Sequence, residues 1–125
     1  MNDTTNFEKA LEQLKTFLKK PVQDDRDSAG VIQAFEFTFE QAWKTIQKIA
    51  TREGVPIGSP KKAFGFALQS GWLELEEESI WLTMIQDRNL SSHTDQQKLA
   101  KEIFHRIQAH YVTALEKLLT QIQKN

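Results

Sequence analysis

From Asp27 to Arg52 the chain contains no proline and a single glycine, Gly30, and its apolar residues recur with a helical period. At about 100° per residue, Val31, Ile32, Phe35, Phe39, Ala42, Trp43, Ile46, Ile49 and Ala50 share one broad stripe. The segment therefore predicts a long core helix. It stops in EGVPIGSP, where Gly54 can cap the helix and Pro56, Gly58 and Pro60 break regular structure.

The flanking segments follow the same rule. Phe7, Ala10, Leu11, Leu14, Phe17 and Leu18 make an amphipathic first helix that ends near Lys19 and Lys20, before Pro21. Ser59 and Pro60 form an N-cap and first-turn pair for a short helix, KKAFGFALQS, closed by Gly71. The acidic run Glu76 to Glu78 suits the first turn of a helix carrying Ile80, Trp81, Met84 and Ile85 and ending near Asn89. A last helix, starting at Thr94 or Asp95, places Leu99, Ile103, Ile107, Tyr111, Ala114, Leu118 and Ile122 on one side. Four long or medium helices and one short one, with no alternating strand pattern, predict an all-α, up-and-down four-helix bundle with one additional short helix. At 125 residues the expectation is one domain over residues 1–125.

Composition removes several classes of function. No cysteine is present, and His93, His105 and His110 fall in no familiar zinc spacing, so neither a metal nor another cofactor is expected. The net charge of −1 supplies no basic surface for non-specific nucleic-acid binding, and any nucleotide or RNA must be held at a local site. No apolar run approaches the roughly 20 residues of a membrane span, and MNDTTNFEK does not read as a secretory leader. A cytoplasmic location without membrane contact is expected.

Two stretches hold residues suited to chemistry. In FEFTFEQAWK, Glu36 and Glu40 lie one turn apart, with Glu36 at the edge of the apolar stripe and Glu40 slightly further out. A carboxylate at such a border is partly desolvated and wants a partner. Lys44 is the obvious one for Glu40, because Glu before Lys at this spacing is the favourable order. The alternative is that these acids line a cleft beside Trp43 and face the second stretch, RNLSSHT.

In that stretch Arg88 leaves the inner side of its helix, following Met84 by four residues, and His93 stands in the turn before the next helix. Thr94 or Asp95 can cap that helix, with Gln97 available for a capping box from Thr94, so spacing alone is met by capping and packing. The chemical alternative is specific. Arginine offers planar donors matched to a phosphate, and histidine exchanges protons near neutral pH. Together they suit activation of a ribose 2′-hydroxyl and stabilisation of a pentacoordinate phosphate, with Asn89 as a neutral donor or as orienter of the histidine.

Taken together, FEFTFEQAWK, SPKKAF, WLTMIQDRNLSSHT and the final amphipathic helix resemble the HEPN superfamily, and within it the substrate-binding subunit of two-component nucleotidyltransferases, from about Phe7 to Leu119. The resemblance implies a homodimer with a separately encoded minimal nucleotidyltransferase as partner, and a nucleotide or RNA held at the dimer cleft. The family's RxxxxH motif falls on Arg88 and His93, with Asn89 at its frequent polar second position. Its FE and WK signature falls on Phe35, Glu36, Phe39, Glu40, Trp43 and Lys44, which makes Glu36, Glu40, Trp43 and Lys44 candidate substrate-binding residues.

Many HEPN proteins use RxxxxH as a metal-independent ribonuclease centre, and in toxin–antitoxin pairs the HEPN protein is the toxin. The resemblance thus implies either a binding subunit or an RNA-cleaving toxin, and no nucleotidyl-transfer chemistry from this chain by itself. Related toxins often carry a tyrosine two residues after the histidine that accepts nucleotidyl groups. Here Asp95 stands at that position, which puts such modification in question, and Tyr111 lies too far along the last helix to replace it.

Overall fold

The structure, a computed structural model, describes residues 2–93 and 96–125, and of His93 the backbone only. Helix α1 spans Thr5–Lys19 and buries Phe7, Ala10, Leu11 and Leu14. It stops where Lys20 turns extended ahead of Pro21. Helix α2, Asp25–Arg52, opens two residues earlier than expected, because Asp24 and Asp27 form a reciprocal capping box. The Asp24 carboxylate accepts from Arg26 N at 2.9 Å and Asp27 N at 3.1 Å, while Asp27 accepts from Asp24 N at 3.3 Å.

Both helix-closing glycines predicted from sequence have the left-handed backbone that a side chain would strain. Gly54 and Gly71 each have φ of 80°. Behind them Val55 N donates to Ala50 O and Trp72 N to Ala67 O, so the last carbonyls of α2 and α3 are satisfied. Helix α3, Pro60–Gln69, starts on Ser59, whose Oγ accepts from Lys62 N. A 3₁₀ turn over Leu75–Glu77 leads into α4, Glu78–Leu90, and a second over Ser91–His93 leaves it.

The last helix, α5, begins at Gln97 rather than at the expected Thr94 or Asp95, two residues that lie outside the described ones. The side-chain amide of Gln97 donates to Asp25 of α2 at 2.7 Å, so this end is tied sideways to the start of α2. The helix is α over Gln97–Arg106, π over Ile107–Tyr111, and α again over Val112–Gln123. Its apolar pattern explains the π turn. Five turns from Ile103 to Ile122 must span 19 residues, where a regular α-helix uses about 18. One π turn absorbs the extra residue, and Ile103, Ile107, Leu115, Leu118 and Ile122 are all fully buried.

Helix α2 is the centre of the bundle, packed on α1, α3 and the first part of α5. Helix α1 also meets the C-terminal part of α5, and α4 rests on α3 and on the π turn. One apolar cluster joins all five helices. Its aromatic spine runs from Tyr111 through Phe35, Phe39 and Phe64 to Trp81, with successive ring centroids 4.3 to 6.1 Å apart. No helix among the described residues is long and apolar enough to cross a membrane.

Candidate functional site

Arg88 projects from the last turn of α4, where a cation suits the helix C-terminus. It crosses to the middle of α2 and donates from Nη1 to Glu36 Oε2 at 3.1 Å. The Ser91 hydroxyl donates to the same carboxylate oxygen at 2.5 Å and lies 2.8 Å from Arg88 O. Since a hydroxyl has one proton, the carboxylate, the stronger acceptor, holds it. Glu36 is thus fixed from two sides and in turn fixes the arginine. The pair is partly open to solvent, with 35% of the Arg88 side chain and 26% of the Glu36 side chain exposed.

The other sequence candidates separate into groups. Glu40 stays on its own helix, accepting from Trp43 Nε1 at 2.9 Å and pairing with Lys44 at 3.3 Å. The i,i+4 partnership expected for Glu40 is therefore present, and Glu40, Trp43 and Lys44 form a small cluster one turn beyond Glu36. Asn89 is exposed on the following position of α4, and its carbonyl accepts from the Ser92 hydroxyl at 3.3 Å. His93 closes the 3₁₀ turn that Ser91 opens, and its side chain lies outside the described residues.

Next to Arg88 on α4 is a second acid–arginine pair that the sequence reading missed. Asp87 is only 3% exposed. Its carboxylate accepts from Arg106 Nε at 2.6 Å and Nη2 at 2.9 Å, a bidentate clasp, and also from the Tyr111 hydroxyl. Burial, reinforced by the hydrogen bond to Asp87, pushes the Tyr111 phenol well above the usual tyrosine range. The Asp87 hydrogen bond likewise holds Arg106 above the ordinary arginine value.

A broad open cleft of about 510 Å³, between the segment after α3 and the C-terminal part of α5, has a different character. Its wall carries Glu74, Glu77 and Glu116 against Lys117, a balance that repels phosphate. An arginine oriented by a carboxylate, partly open to solvent and next to a histidine-bearing turn, is the described cluster best suited to an anion such as a phosphate.

Comparison with known proteins bears on the fold and the family. No curated protein matches it. A crystal structure of a protein from Thermus thermophilus has the same fold, with a TM-score of 0.84 and 35% sequence identity over 94% of this chain and 98% of that one. The model of one family, described as nucleotidyltransferase substrate binding protein like, matches residues 2–124. With nearly every residue matched, this helical bundle belongs to the nucleotidyltransferase substrate binding protein like family.

Proposed function

We propose that this chain is the substrate-binding subunit of a two-component nucleotidyltransferase. In this reading it acts as a homodimer whose cleft holds a nucleotide for a separately encoded minimal nucleotidyltransferase. The observation that carries the reading is the Glu36–Arg88–Ser91 cluster in a chain of this family. Arg88 is held in place before any ligand arrives, which lowers the entropic cost of binding.

The pair with Glu36 is weak enough to admit a phosphate beside it. A partly exposed ion pair such as Glu36–Arg88 is worth about 0–1 kcal/mol. The guanidinium carries five donors, of which Nη1 is directed at Glu36, so a phosphate can share the arginine with Glu36. Asn89 and His93 follow Arg88 closely along the chain and would contact the sugar or the leaving oxygen. Glu40, Trp43 and Lys44 would form the neighbouring wall, with the indole as a stacking surface for a base. With a net charge of −1, a nucleotide is a better match than a long RNA, whose affinity would need many phosphate contacts.

Equilibrium titration of the purified protein with each ribonucleoside triphosphate and with a single-stranded RNA oligonucleotide, with and without a separately encoded minimal nucleotidyltransferase, tests the reading. Nucleotide binding without RNA cleavage is expected. RNA cleavage that disappears in His93→Ala would overturn it in favour of the metal-independent ribonuclease toxin of a HEPN pair. Absence of binding in every combination would overturn both and leave a scaffold.

A further inference from the structure

We infer that Asp87, Arg106 and Tyr111 are positioning residues for Arg88, brought together by the π turn of α5. The inference rests on the proposed phosphate-binding role of Arg88 for its effect on affinity, but not for its effect on the arginine itself. Arg106 and Tyr111 are five residues apart, and on a regular α-helix their side chains would diverge by about 140°. The π turn over Ile107–Tyr111 widens the helix by about one residue, which returns both side chains to one face. Both then reach a single carboxylate, Asp87.

Sequence neighbours link this buried group to the proposed site. Asp87 precedes Arg88 on α4, and Phe35 precedes Glu36 on α2. Tyr111 closes the circuit, since its ring stacks on Phe35 at 5.4 Å and 24° while its hydroxyl donates to Asp87. Three helices are thereby locked in the one register that lets Arg88 meet Glu36. A slip of α4 by one residue would turn Asp87 by about 100° away from Arg106 and carry Arg88 away from Glu36. Apolar contacts alone tolerate such slips better, because they are not directional, whereas a carboxylate that must satisfy three donors does not.

The test uses the intact chain and a probe confined to one side chain. The Arg88 guanidinium Nη–H resonance in ¹H–¹⁵N spectra, assigned by its loss in Arg88→Lys, reports the ion pair that Nη1 makes with Glu36. Tyr111→Phe keeps the ring on Phe35 and removes only the hydroxyl, and Asp87→Asn keeps the shape and removes the charge. In both, the Arg88 resonance should move toward that of a solvated arginine. Affinity for ATP should fall roughly threefold to tenfold, the lower part of the range of coupling within a shared hydrogen-bond network. Ile122→Val, at a fully buried position of the same helix, serves as control and should lower the melting temperature while leaving that resonance in place. If the Tyr111 and Asp87 variants lower the melting temperature and the Arg88 resonance stays where it is, the three residues are structural only and the inference fails. A moved resonance in a protein that binds none of the ribonucleoside triphosphates, with or without the nucleotidyltransferase, would uphold the positioning role and overturn the nucleotide reading.

Discussion

Asp87 and Arg88 are consecutive residues of α4, and each joins an acid–arginine pair, yet the two pairs are opposite in kind. Asp87 is 3% exposed and accepts three hydrogen bonds, two of them from one guanidinium. Arg88 makes one contact at 3.1 Å to a carboxylate that water still reaches. The first arrangement is costly to disturb, because a buried group loses its partners without gaining solvent. The second is cheap to disturb, and an arginine whose partner can be exchanged is what an anionic ligand requires. A single step along the helix thus separates a buried support from the proposed site.

The largest expected effect is at the support. Asp87→Ala leaves the Tyr111 hydroxyl buried without an acceptor and releases Arg106, whose side chain is 33% exposed and can partly recover water. A loss of about 3 kcal/mol is expected in urea denaturation, the lower end for breaking a buried pair. A loss under about 1 kcal/mol would mean that the pair is not desolvated and would erase the contrast. Tyr111→Phe should cost about 1–2 kcal/mol, one buried hydrogen bond with its partner left underused.

The pH dependence of that difference has a definite sign. A phenol held protonated by the fold contributes stability that is complete below its unfolded value near pH 10 and is lost as pH rises through the higher folded value. Wild-type stability should therefore fall more steeply than that of Tyr111→Phe above about pH 10, as read from urea midpoints across that range. Parallel curves would show that Tyr111 is not held neutral by the interior. The smallest effect belongs to the exposed pair, since Glu36→Gln should change stability by less than about 1 kcal/mol.

The legibility of these features in the sequence differs in the same way. Stripes of period near 3.6, Pro21, the Ser59–Pro60 start and the glycines at 54 and 71 placed the helices and their ends, because each acts through local geometry. The capping box of Asp24 and Asp27 is equally local, and it moves the start of α2 two residues ahead of the apolar stripe that predicts the helix from Asp27. The π turn left a mark as well, a succession of four-residue steps too long for an α-helix, which is legible only when the whole stripe is counted.

Asp87 was hidden for another reason. The inner face of α4 runs Trp81, Met84, Asp87 and on to Ser91, so its continuation is polar, and a hydrophobic count ends with Met84 and Ile85. Its partners stand 19 and 24 residues away, on a helix whose register depends on the π turn. Glu36 is the intermediate case. Its position at the border of the α2 stripe signalled a need for a partner, and only tertiary packing could say that the partner is Arg88 rather than a residue of its own helix. For Glu40 the local rule was sufficient, and Lys44 is its partner.

The central claim is that the exposed pair, and not the buried one, meets the ligand. Isothermal titration of ATP into wild type and Arg88→Ala, with melting temperatures recorded on the same samples, addresses it most directly. The account predicts affinity lower by about tenfold to a hundredfold, the worth of one charged hydrogen-bond contact, with the melting temperature nearly unchanged. Equal affinities in the two proteins would contradict it.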